Sequence, residues 1–278
     1  MKYNSQIPLE HYNEYGEREW QRLESDRQHE LIYHVHFDIL KRYISHRDNV
    51  IEFGAGGGRF TKDIINMCNS FVTSDISPVQ LEVNKKMMKQ LGLYNKIESF
   101  LELDITNLNS INDNVYDVAV CTGGSINYLF DKEEYAINEL LRILKPNGKL
   151  ILGAMSLTGA LIYHMNGVVY EKDQFGIEAS RWIFEKGIQD EEHYPVKSKH
   201  YVHMMTSNDM DNLFMNKPVR ILEKSSAGLF AHSKEEALNQ AKIDTDFWDL
   251  LIEKEIEFTK RPTTLDCGMN IIYVVEKL

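Results

Sequence analysis

Val50-Ile51-Glu52-Phe53-Gly54-Ala55-Gly56-Gly57-Gly58-Arg59 decides how the rest of the 278-residue chain is read. A short apolar run enters a glycine-rich turn, and a helix-like stretch from Arg59 to Met67 follows it. Glycines at 54, 56 and 58 let the backbone turn tightly and let a ligand approach with no Cβ in the way. Asp75 stands at the end of the next strand-like run, Phe71–Ser74, 21 residues beyond Gly54. A carboxylate there can accept both hydroxyls of a ribose. Together these features point to a nucleoside cofactor. Position 59 holds arginine where a dinucleotide fingerprint needs its third glycine, and the Gly-Lys-Ser/Thr of a P-loop is absent.

Outward from this turn, short apolar runs alternate with helix-like stretches. Ser77-Pro78-Val79-Gln80 supplies an N-cap, a first-turn proline and a capping-box glutamine for a helix that stops near Gly92. Ile97–Leu103, Asp117–Cys121 and Lys149–Ala154 read as further strands. Asp131 to Glu134 reads as a capping box opening a helix that ends before Pro146. Such alternation predicts a parallel sheet covered on both faces. Upstream, Ile32, Val35, His36, Ile39, Leu40 and Tyr43 form a stripe of helical period. Residues 156–210 break the rhythm and are rich in Met, Tyr, Trp and His, as an insertion over the strand ends would be. Pro218–Lys224 reads as a strand, Ser233 to Glu236 as a third capping box before a helix containing Trp248, and Asn270–Val275 as a closing strand.

The pattern acid-x-Gly-x-Gly-x-Gly resembles the first motif of class I S-adenosylmethionine-dependent methyltransferases, and the resemblance runs over about residues 48–155. Leu103-Asp104-Ile105 resembles that superfamily's third-strand motif, Tyr116 to Gly124 its fourth-strand motif, and Leu144-Lys145-Pro146-Asn147-Gly148-Lys149-Leu150 its turn into strand five. The resemblance implies an α/β, doubly wound, seven-stranded, mostly parallel sheet of Rossmann-like methyltransferase type, with a final antiparallel strand. It implies one domain: a helical lid at 1–47, a cofactor-binding core at 48–155, a substrate-cap insertion at 156–210 and the rest of the sheet at 211–278. It further implies S-adenosylmethionine as cofactor and S-adenosylhomocysteine as product. Glu52 would tie down the methionyl amino end indirectly, through the glycine-rich loop, Asp75 would hold the ribose and Asp104 would meet the adenine amine. Gly54, Ala55, Gly56, Gly58, Ile76, Ile105, Thr122 and Gly123 would be further cofactor-binding residues. Tyr15 and Trp20 of the lid would cover the cofactor, and an aromatic face suits a sulfonium.

The fourth-strand segment narrows the acceptor. Thr122-Gly123-Gly124-Ser125 carries neither the Pro-Pro-aromatic motif of nucleic-acid amino-methyltransferases nor the Pro-Cys of cytosine-C5 enzymes. A formal charge of −11 opposes binding to a phosphate backbone. These readings favour a small-molecule acceptor, as in the bacterial small-molecule branch, and no nucleic acid. Cys68, Cys121 and Cys267 are too scattered for a disulfide framework or a zinc knuckle. With no signal-like N-terminus, the reading is a cytoplasmic monomer or homodimer with no metal. Leu150 to Tyr170 lacks charge, but Gly153, Gly159, His164 and Gly167 interrupt it, so it reads as strand plus pocket wall, not a membrane span.

His36, the one polar position on its apolar stripe, and His203 are the catalytic candidates. A strand through 200–205 would turn His200 and His203 to opposite faces. With no base–acid pair or metal cluster visible, a nitrogen acceptor is slightly preferred over oxygen. Two other readings use the same residues: a non-catalytic cofactor-binding or regulatory protein, and aminopropyl transfer. The latter usually needs acids after strand four, and Thr122 to Tyr128 has none.

Overall fold

The computed structural model describes residues 1–24, 26–196 and 200–278. Three helices come first, α1 (Gln6–Tyr15), α2 (Arg18–Glu24) and α3 (Arg27–Tyr43). The core follows as β1 (Asn49–Glu52), α4 (Thr61–Ile64), β2 (Ser70–Asp75), α5 (Pro78–Gln90), β3 (Ser99–Glu102), β4 (Tyr116–Cys121), α6 (Glu133–Ile143) and β5 (Leu144–Met155). The non-rhythmic segment forms α7 (Leu157–Tyr163), α8 (Met165–Phe175), α9 (Ile177–Lys186), β6 (Ile188–Gln189), β7 (Val202–His203) and α10 (Ser207–Phe214). The chain closes with β8 (Val219–Ala227), α11 (Glu235–Ile243), α12 (Thr245–Thr259) and β9 (Asn270–Lys277).

Seven strands form one sheet in the order β3-β2-β1-β4-β5-β9-β8. The first five pair in parallel, and β9 runs antiparallel to both β5 and β8. The chain reverses direction across the sheet at β1 and β4, so their carboxyl ends flank a crevice where open α/β sheets bind ligands.

Alternate residues of each strand face opposite layers. Val50, Val118, Val120, Ile151 and Val274 pack with Val35, Ile39 and Leu40 of α3. Ile51, Ala119, Leu150, Leu152 and Tyr273 pack with α6 and α10 on the other side. Burial on both faces explains why these strands read as continuous apolar runs. The insertion has its own small core, in which Leu161, Ile183, Tyr194 and Met204 surround Tyr128.

Four local expectations change. Only Thr61–Ile64 of the Arg59–Met67 stretch is α-helical. Helix α6 is preceded by a 3-10 turn, and Lys132, not Asp131, stands at its N-cap; the Asp131 carboxylate instead accepts the Tyr3 backbone N–H. Lys234, not Ser233, stands at the N-cap position of α11, with no side-chain capping bond. Ser77 does cap α5, accepting from Gln80 N at 3.1 Å. The Gln80 side chain, however, donates to the Tyr12 and Gly16 carbonyls, so it ties the lid to the core instead of completing a capping box.

Candidate active site

The β1 turn is built by close approach. Gly54 has φ +61°, and a Cβ on it would stand 1.9 Å from Ser125 Oγ after β4. Gly58 does a different job: its Cβ would stand 2.6 Å from Asn84 Oδ1, so its lack of a side chain lets α5 pack against the turn. Glu52 is buried and accepts from Thr61 Oγ1 at 2.5 Å and Thr73 Oγ1 at 3.1 Å. Burial pushes its carboxyl up to about 7, against those two hydrogen bonds.

Asp75 accepts Gly56 N–H and Ser77 N–H, both at 2.8 Å, one on each oxygen. Desolvation raises it to about 6. Each carboxylate oxygen retains a second lone pair. Asp104 accepts from Thr106 N at 2.8 Å and Thr106 Oγ1 at 2.7 Å through Oδ1, and from the Tyr3 hydroxyl at 2.8 Å through Oδ2.

Both carboxylates and Glu52 face one cavity of about 460 Å³, in the size range of small-molecule sites. Gly54, Ala55, Gly56, Ile76, Ile105, Thr122 and Gly123 line its sheet side, together with the lid residue Tyr15. The opposite wall comes from α1, α2, α3, β5 and the insertion. There His36 lies buried, its Nδ1 2.9 Å from the Ile32 carbonyl and its ring stacked on Phe60 at 5.2 Å. Desolvation lowers it to about 4, so its imidazole is neutral. Arg59 is buried beside it, donating to the His29 carbonyl at 2.7 Å and lying over the Tyr33 ring. Arg22 is paired with Glu19 at 2.7 Å. Tyr12, Tyr128 and His200 complete this wall. Among the described residues no cluster has metal-ligating geometry, and no helix is long and apolar enough to cross a membrane.

Residues 51–152 match the family model described as a methyltransferase domain. Those residues are a methyltransferase domain. An uncharacterized methyltransferase of Oceanobacillus iheyensis is 25% identical over 129 residues, and the match spans 46% of this chain and only 57% of that relative. Among solved structures, magnesium protoporphyrin IX methyltransferase of Synechocystis PCC 6803 with bound SAH superposes with a TM-score of 0.61 at 12% identity, over 99% of both chains. A SAM-dependent methyltransferase of Methanosarcina mazei gives 0.53 at 15%, over 86% of this chain and 97% of its own. The cyclase SpnF gives 0.55 at 15%, over 88% and 81%. At such identities the likeness is one of fold: the class I methyltransferase fold.

Around this methyltransferase domain the structure redistributes three of the predicted site residues. His203 lies outside the cavity; its Nδ1 is 2.6 Å from Glu133 Oε1, so it pins the insertion to α6. Burial lowers its pKa, but the Glu133 carboxylate outweighs that and the net shift is upward. Trp20 packs over Gly57 behind the turn instead of covering the cavity. Gly58 likewise lies outside the lining. Of the aromatic residues in the insertion, Tyr170 and Phe184 point to solvent, Tyr163 donates to Gln28 Oε1 at 2.9 Å, and Trp182 stacks on His193 at 4.3 Å. Sequence reasoning missed Arg59, Tyr128 and His200 as wall residues. Arg59 carried a signal, because it follows the glycine turn directly. His200 carried none, because its segment lacks periodicity.

Proposed function

We propose that the protein transfers a methyl group from S-adenosylmethionine to a nitrogen or oxygen of a small molecule. The observation that carries this reading is the cavity that two different sets of groups line. One side has nucleoside-recognising carboxylates, and the other is a compact aromatic and histidine-lined wall. The residues fit the cofactor: Asp75 and Asp104 face the same space from the ends of adjacent strands, with lone pairs left for donors. Asp75 and Ile76 would hold the ribose, Asp104 and Ile105 the adenine, and Glu52 and the 54–56 turn the methionyl end. When bound, the cofactor supplies an electrophilic methyl group. The chain's own work is to bind, to orient the acceptor in line and to exclude water. Neutral His36 would contact the acceptor side. A cavity of about 460 Å³ supports a small acceptor.

Calorimetry with S-adenosylmethionine, S-adenosylhomocysteine and NAD tests the reading. The first two should bind and NAD should not; binding of NAD alone would refute it. Asp75→Ala should weaken S-adenosylhomocysteine binding by roughly 1.5–3 kcal/mol, the scale of hydrogen bonds to a charged group.

A further inference from the structure

Three residues distant in sequence form one hydrogen-bonded chain on the cavity wall. The Tyr12 and Tyr128 hydroxyls are 2.7 Å apart, and Tyr128 Oη is 2.9 Å from His200 Nε2. All three line the cavity beside Thr122 to Ser125. Their placement is enforced from behind. Asn127 is fully buried, accepting Met155 N–H at 2.8 Å and donating to the His203 carbonyl at 2.6 Å. That clamp, with the His203–Glu133 pair, sets His200 against Tyr128.

The two contacts admit one proton order that ends on His200. Burial raises both, and Tyr12 goes well above its ordinary value while Tyr128 reaches about 12, its acidity helped by the bond from Tyr12. In that order Tyr12 donates to Tyr128, and the Tyr128 proton is directed at His200 Nε2. A hydroxyl has one proton and two lone pairs. Tyr128 Oη thus retains one lone pair for a proton donor in the cavity.

We propose that Tyr128, backed by His200, takes the proton from the methyl acceptor, and that the acceptor is accordingly a hydroxyl-bearing small molecule. This rests on the methyltransferase reading above. In the step, the acceptor oxygen forms its bond to the methyl carbon as the carbon–sulfur bond breaks, the electron pair going to sulfur. The acceptor's O–H proton moves to Tyr128 Oη while the Tyr128 proton moves to His200 Nε2. The products are a methyl ether, a neutral sulfide and an imidazolium, so the positive charge lost at sulfur reappears on His200.

The surroundings favour a neutral acceptor over an ammonium. His200 is held to about 4, first by burial and then by His11, Arg22 and His164, so it is an uncharged base at neutral pH. Among the described residues, the one carboxylate on this wall is Glu19, which is paired with Arg22. A hydroxyl needs a base to lose its proton, and this chain is the base–hydroxyl pair that the sequence did not reveal.

The first test needs no cofactor. In the full-length protein at pH 7, 15N-imidazole NMR should show His200, assigned by its loss in His200→Gln, as the Nδ1–H tautomer. Tyr128→Phe should shift its Nε2 resonance. An Nε2–H tautomer overturns the proposal. The second test offers two acceptor mixtures, one of phenols and aliphatic alcohols and one of primary and secondary amines, with labelled S-adenosylmethionine. Transfer to the hydroxyl mixture is expected. Tyr128→Phe should cut it by ~10²-fold or more, and His200→Gln should make the residual rate climb with pH. Transfer to amines alone, or an unchanged pH profile in His200→Gln, overturns the proposal. No transfer to either mixture would instead count against the methyltransferase reading.

Discussion

The Tyr3 hydroxyl donates to Asp104 Oδ2 at 2.8 Å, joining the segment before α1 to the loop after β3, 101 residues away. The bond lies at the edge of the cavity, where both residues are lining groups. It fastens the lid at the carboxylate assigned to the adenine. Tyr3→Phe should therefore weaken S-adenosylhomocysteine binding by roughly 0.5–1.5 kcal/mol, the net worth of one hydrogen bond. Calorimetry reads this directly. Tighter binding would mean that the hydroxyl competes with the cofactor for Asp104.

Glu52 makes a pH prediction of unusual sign for an acid. Its folded pKa, about 7, lies above its ordinary value of 4.5. The folded state therefore holds the proton more tightly than the unfolded state, and stability falls as pH rises from about 4.5 through 7. Glu52→Gln mimics the protonated form and should lose less stability than the wild type across that window. Urea melts of the ligand-free protein at a series of pH values give the difference. Parallel curves would show that Glu52 is ionised throughout.

Gly54→Ala tests the contact between the β1 and β4 turns. A Cβ there meets Ser125 Oγ at 1.9 Å and also demands φ +61° of an L side chain. A loss of about 1–3 kcal/mol is expected from overpacking, with cofactor binding lost alongside. Adding Ser125→Gly should restore part of the stability, because it removes the clash but not the backbone strain.

The His203–Glu133 pair should act on stability. Because His203 has a raised folded pKa, its contribution is fully present below the unfolded value near 6.5 and is lost as pH rises through the folded one. His203→Ala should cost about 1–2 kcal/mol at pH 6, and clearly less at pH 9. A cost that does not change with pH would mean that packing, not charge, holds this contact.

Much of the core was legible because its signals are local. The glycine turn after β1, the acid ending β2, the Ser77 cap and the Pro146-Asn147-Gly148 turn each depend on a few neighbouring residues. The apolar strands needed only burial on both faces, which a run such as Val118 to Cys121 displays directly. The seven-stranded sheet with its antiparallel last strand followed from the resemblance those motifs carry. Capping boxes at 131–134 and 233–236 misled, because the same residue types also serve 3-10 turns and long-range bonds, as Asp131 does to Tyr3.

The sequence by itself determined one side of the cavity: Glu52, the 54–56 turn, Asp75, Asp104 and Thr122 all reach it because each sits at a strand end whose position the sheet fixes. Only the tertiary structure decided the opposite wall. Whether His200 or His203 enters the cavity depends on how the short β7, Val202–His203, lies against β6. That register is set from elsewhere, by the Asn127 amide holding the His203 carbonyl and by Glu133 holding the His203 ring. A side chain's destination can be read from sequence where regular backbone repeats it at a known period. Where long-range hydrogen bonds set the backbone instead, the partner residues must first be brought together by the fold.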